Sequence, residues 1–155
     1  MFELKLLSGA LGAELHGVNL AKDLSNDVLK EMRRLLVEHE VIFFRDQDIS
    51  HEQHKQIAHF FGPLQTHPAY GTVPDFPEIT ILESTAEKPT KIEKWHTDMT
   101  FREHPPMGSI LRSKICPPSG GDTLWSSMTS AYEALSKPMK DLLDNLNAEH
   151  DFSHG

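Results

Sequence analysis

The sequence predicts a single mixed α+β domain over residues 1–155, with helices early in the chain and strands dominating its middle. Three observations predict it. The chain has 155 residues, the size of one ordinary domain, which can bury a core without disulfides or metal staples. Its apolar residues alternate over some short stretches and recur at helical spacing over others. No internal repeat or low-complexity tract divides it.

In chain order, alternation in "FELKLL" and again in "AELHGVNL" predicts two short strands, joined through "SGALG" as a hairpin at a sheet edge. Ser25 is placed to cap a helix carrying Val28, Met32, Leu35 and Leu36 on one face and ending near His39. The apolar run "VIFFRD" predicts a central strand buried on both faces. Ser50, with Gln53 three residues on, opens a second helix expected to bury Ile57, Phe60 and Phe61 before Gly62 and Pro63 stop it. Residues 62–77 are rich in Pro, Gly and His and predict an ordered loop of the kind that carries function. "EITILEST" reads as a strand, "AEKPTKIEK" as a polar surface loop, "MGSILRSKI" as a further strand, and "PPSGGDTLWSS" as a turn feeding a short one. Two helices follow. The first runs from Met128 to Leu135; the second is capped by Ser136, has Pro138 in its first turn and is expected to bury Leu142, Leu143 and Leu146. The closing "AEHDFSHG" looks like the start of another strand, as expected of the N-terminal portion of a longer domain.

The composition narrows the partners. A net charge of -8 argues against nucleic acid or an anionic membrane, which need clustered Lys and Arg, and for a small-molecule partner. Cys116 is the single cysteine, so no intramolecular disulfide forms and a cytoplasmic address is the default expectation. The N-terminus lacks the basic start and continuous apolar stretch of a signal peptide, and no apolar run approaches a membrane span. Ten histidines are many for this length and invite a metal.

"WHTDMTF" is where that invitation is most specific. Read as a strand, it turns His96 and Asp98 to one face, within reach of one ion. An imidazole and a carboxylate suit a first-row divalent metal with open positions, as in the two-histidine, one-carboxylate arrangement around Fe(II). The bland alternative is a half-buried strand whose polar residues face water, and an H-x-D triplet arises by chance in about one such histidine-rich sequence in two. A structural zinc site would want more Cys or His nearby.

"WHTDMTF" followed by "PPSGGDTLWSSMTSAYEALS" resembles the Fe(II)- and 2-oxoglutarate-dependent dioxygenases of the TauD/TfdA family, and "GAELHGVNL", "VIFFRDQ", "THPAY" and "AEHDF" resemble that family's segments in the same order. The resemblance covers essentially the whole chain. It implies a double-stranded β-helix, or jelly-roll, of the cupin kind with flanking helices, incomplete at the C-terminus. It further implies that Fe(II) is the metal, 2-oxoglutarate the co-substrate, and dioxygen the oxidant. The expected reaction hydroxylates the carbon next to sulfur of a sulfonate such as taurine, releasing sulfite and an aldehyde.

By that resemblance His96 and Asp98 are two of three iron ligands, and Thr123 helps hold a carboxylate of 2-oxoglutarate. His67 and Tyr70 match positions that meet a sulfonate, and Phe101 lies near the substrate. On residues alone, Thr123 reads equally as a β-branched strand residue after a Gly-Gly turn, His67 as a turn histidine beside Pro68, Tyr70 as a cap on the core, and Phe101 as a core aromatic. Trp95 reads as packing that fixes the ligand segment. Taurine-acting members place an asparagine three residues before the motif tryptophan; here Ile92 stands there, which opens the expectation to another sulfonate or an alkyl sulfate. The third iron-binding histidine and the arginines for 2-oxoglutarate and sulfonate belong to a C-terminal half that residues 1–155 do not include. A truncated, non-catalytic family member is the alternative. A chain with unpaired jelly-roll strands is expected to pair with another copy, forming a homo-oligomer.

Overall fold

The computed structural model describes residues 2–90, 92 and 94–152. The chain divides into two compact units, one formed by Met1–Asp48 with Leu111–Ala148 and the other by Ile49–Ile110 with Glu149–Gly155.

In the first unit, β1 (Glu3–Leu6) and β2 (Ala13–His16) form the expected antiparallel hairpin, with Leu4 opposite Leu15. Gly12 sits at φ +94°, a left-handed conformation that closes the hairpin and that other residues adopt at a cost. β3 (Ile42–Phe43) adds to β2 in parallel, giving the order β1-β2-β3. This corrects the expectation for "VIFFRD": β3 is a two-residue, half-buried edge strand, and β2 is the central one. Centrality explains why Ala13 and Leu15 are buried, and why buried Glu14 needs the partners it has in Arg45 (3.1 Å) and His16 (3.0 Å).

Helix α1 (Asn26–His39) starts where Ser25 accepts a hydrogen bond from the Val28 N–H and buries Met32 and Leu35. It ends on Glu40 in the left-handed region. Gln47 staples the segments flanking the core: its Oε1 accepts from the Leu20 N–H (2.7 Å), while Nε2 donates to the carbonyls of Val18 (3.0 Å) and Arg45 (2.7 Å). α3 (Met128–Glu133) and α4 (Lys137–Leu143) complete the unit. α4 departs from expectation, because Leu142, Leu143 and Leu146 are exposed rather than buried. "MGSILRSKI" and the stretch after Gly121 also depart from expectation. Neither forms a strand, and Ile115 is 93% exposed.

In the second unit α2 (His51–Phe61) carries the full reciprocal capping box between Ser50 and Gln53 and buries Ile57; Phe60 and Phe61 are only half-buried, contrary to expectation. β4 (Thr72–Val73) and β5 (Phe76–Thr80) form a second, antiparallel hairpin. It cuts into the stretch expected to be loop through Pro77, and the strand expected over residues 78–85 starts two residues earlier and stops at Thr80. Lys55 on α2 reaches Glu78 on β5 at 3.2 Å. The Glu78 carboxyl is held below the ordinary glutamate range, by its own backbone N–H first and by Lys55 as well. "AEHDF" is not a strand over its described residues. Among the described residues the strands make a three-stranded and a two-stranded sheet and no closed barrel.

Candidate metal and substrate site

Trp95 to Thr97 have no regular structure, and Asp98 to Phe101 form a turn, not the expected strand. The two side chains meet nonetheless, with His96 Nε2 3.2 Å from Asp98 Oδ1. A turn brings them together where strand alternation was to have done so. Met99, the next residue, takes φ 59°, and the Arg102 N–H closes the turn on the Met99 carbonyl at 3.1 Å. Arg102 also donates through Nη2 to the Thr66 carbonyl (2.9 Å), and Gln65 Nε2 donates to the His104 carbonyl (3.0 Å), so the turn is moored to the loop after α2.

The second nitrogen of His96 decides what the first can do. Nδ1 lies 2.7 Å from the Lys94 carbonyl oxygen, which can only accept, so Nδ1 carries a proton, and in the neutral ring Nε2 is the nitrogen left to ligate an ion beside the carboxylate. Metal-binding histidines are commonly held this way. Two donors each about 2.1 Å from a small six-coordinate ion are about 3.0 Å apart, close to the observed separation. His96 and Asp98 thus fit two adjacent positions of one ion. Among the described residues no group of three His, Cys, Asp or Glu could hold a metal, so the third position is not supplied by them.

His67 accepts a hydrogen bond at Nδ1 from the Ala69 N–H (3.1 Å), which leaves Nε2–H as the donor of a neutral ring. Its centroid is 4.5 Å from that of Tyr70. The loop therefore carries an N–H donor and a phenol on neighbouring rings, groups of the kind that bind the oxygens of an anion. Phe101 is half-buried and stacks on Phe152 at 4.7 Å. Ile92 and Trp95 are exposed.

Thr123 lies in the first unit. It lines an open cleft of about 640 Å³ with Gly12, Val41, Phe43 and Trp125, the last two rings meeting edge to face at 5.1 Å. The lining carries hydroxyls but no cation. Thr123 can give one hydrogen bond to a carboxylate there, and the counter-charge of a dicarboxylate is not among the lining residues. His96, Asp98, His67, Tyr70 and Phe101 all belong to the second unit. Sequence reasoning gave no role to the Lys94 carbonyl, to Phe152, or to the hydrogen bond between His150 Nδ1 and Thr100 Oγ1 (2.7 Å). Only "AEHDF", as a segment resembling the family's, marked that region.

A family model described as "Taurine catabolism dioxygenase TauD, TfdA family" matches residues 3–155. The chain belongs to this family. It is 38% identical to an alpha-ketoglutarate-dependent sulfate ester dioxygenase of Pseudomonas putida, over 93% of this chain and 48% of that protein. It is 36% identical to an alkylsulfatase of Acinetobacter baylyi, over 96% of this chain and 46% of that protein. Its fold matches the crystal structure of a taurine dioxygenase from Burkholderia xenovorans with a TM-score of 0.80 at 40% identity, covering 93% of this chain and 51% of that one. The chain thus spans about half the length of the relatives it matches. Among the described residues no helix is long and apolar enough to cross a membrane.

Proposed function

We propose that the protein is an Fe(II)- and 2-oxoglutarate-dependent dioxygenase, built on a double-stranded β-helix, that acts on a sulfate ester or sulfonate bearing an apolar chain. The observation that carries this reading is the approach of His96 Nε2 to Asp98 Oδ1 at 3.2 Å, with the other imidazole nitrogen committed to Lys94. The names of the sulfate ester dioxygenase and the alkylsulfatase support the substrate class. Ile92, where taurine-acting members carry an asparagine, removes a polar partner for an amine and supports an apolar chain.

Iron bound with 2-oxoglutarate and dioxygen would supply the oxidant that places a hydroxyl on the substrate carbon next to the sulfur group. The protein's own groups bind and orient. His96 and Asp98 hold the ion. The Nε2–H of His67 and the Tyr70 hydroxyl donate to the oxygens of the sulfur group and so aim the adjoining carbon. After hydroxylation, the carbon–oxygen bond of a sulfate ester, or the carbon–sulfur bond of a sulfonate, breaks as the new hydroxyl becomes an aldehyde carbonyl. Its proton passes to solvent, and sulfate or sulfite leaves.

One observation favours a second reading, a family member that folds without a working iron site: no three-donor group is present among the described residues. Anaerobic titration with Fe(II) in the presence of 2-oxoglutarate separates the two. The dioxygenase reading expects a visible metal-to-ligand charge-transfer band that is lost in His96→Ala. Folded protein that shows no band would establish the second reading. Where the band forms, sulfate or sulfite released from alkyl sulfates, alkanesulfonates and taurine identifies the substrate.

A further inference from the structure

We propose that Phe152 is a specificity-determining residue that sets which hydrocarbon chain fits beside the sulfur group, with His150 as its positioning residue. The inference rests on the reading of His67 and Phe101 as substrate groups. Four rings run in sequence through this region: Tyr70 is 4.5 Å from His67, His67 is 5.9 Å from Phe152 with the rings at 74°, and Phe152 is 4.7 Å from Phe101 at 37°. Phe152 is the link between the loop pair and the ring that follows the metal-ligand turn. Among the described residues, Phe152 is the ring that meets both His67 and Phe101.

Two further facts bear on a substrate wall. Phe152 is 42% exposed, so part of the ring is open to a ligand. The open ring lies beside the imidazole whose Nε2–H is the anion donor. The segment is also fixed twice onto one turn: His150 Nδ1 meets Thr100 Oγ1 at 2.7 Å, and two residues later Phe152 stacks on Phe101. Thr100 and Phe101 come two and three residues after Asp98 in the same turn, so the ring is tied to the segment that carries the metal-ligand pair. A substrate held by its sulfur oxygens at His67 and Tyr70 would lead its carbon chain along these rings. Their faces and edges suit an unbranched apolar chain. An ammonium could also lie over such faces, and binding experiments tell the two apart.

The test is calorimetric titration of the protein, loaded with Fe(II) and 2-oxoglutarate under nitrogen, with butyl, hexyl, octyl and decyl sulfate, a terminal aminoalkyl sulfate and inorganic sulfate. Phe152→Ala is expected to shift the affinity ratio of decyl to hexyl sulfate toward the longer chain by about tenfold, the scale on which apolar pockets discriminate methylenes. Inorganic sulfate should bind the variant as it binds the parent. His150→Ala should shift the ratio in the same direction by less, and Phe152→Leu should fall between parent and Phe152→Ala. A ratio unchanged in both Phe152 variants, or a uniform loss across all chain lengths, overturns the proposal while leaving the dioxygenase reading intact. Tighter binding of the aminoalkyl sulfate than of its alkyl counterpart overturns it as well. A parent protein that binds no alkyl sulfate overturns the substrate reading and this inference together.

Discussion

At Met99 the backbone adopts φ 59° one residue after Asp98, inside the turn whose first residue carries the carboxylate 3.2 Å from His96 Nε2. The left-handed region costs an L-residue about 1–2 kcal/mol, and a β-branched side chain suffers most because its two branches crowd the backbone. Met99→Gly is therefore expected to keep the turn and the metal affinity. Met99→Ile should flatten the turn, separate the two donors and lower Fe(II) affinity by about tenfold, near the lower end of what disturbed metal-ligand supports cost. Equal affinities in the two variants, measured by competition with a chelating dye, would show that the Met99 conformation does not place Asp98. The His-x-Asp pair was legible in the sequence, but the reason for its geometry was not: methionine carries no mark of a left-handed residue, and the pattern suggested a strand. His150 and Thr100 are fifty positions apart, so their bond leaves no trace in local spacing.

Elements governed by local chemistry were legible, and those needing distant partners were not. Ser25 and Ser50 announced α1 and α2 because a cap is settled within four residues. "MGSILRSKI" has a strand's alternation, yet among the described residues no strand pairs with it, and an extended segment becomes a strand only through its neighbour. The two C-terminal helix caps show how context separates equivalent sequence signals. Ser127 is buried, accepts from the Ser130 N–H at 2.9 Å and donates to Glu40 Oε1 at 2.8 Å, so it joins the start of α3 to the end of α1. Ser136 makes no side-chain cap bond. Ser127→Ala should cost about 1 kcal/mol, because it removes the cap on the helix N–H and the bond to the Glu40 carboxylate. Ser136→Ala should stay within about 0.5 kcal/mol. Urea unfolding of the two variants checks this, and similar costs would mean that the Ser127 bonds add nothing to stability.

At the scale of the whole molecule the decisive fact is how much large apolar surface faces solvent. In the first unit Ile115 is 93% exposed, and Leu124 and Met128 are 70% exposed each. Isolated apolar residues on a surface are ordinary, but several large ones within one unit favour association. The net charge of -8 opposes it, because like-charged copies repel until salt screens them. We propose that burial wins and that copies of the chain self-associate, more strongly as ionic strength rises. Ile115→Lys separates the two forces, since it removes an exposed apolar side chain while lowering the net negative charge by one. If apolar burial drives association, the variant should sediment as a smaller species than the parent at the same concentration and salt. If charge repulsion is the controlling term, the less negative variant should associate more strongly instead, and sedimentation velocity on the pair decides between these opposite shifts.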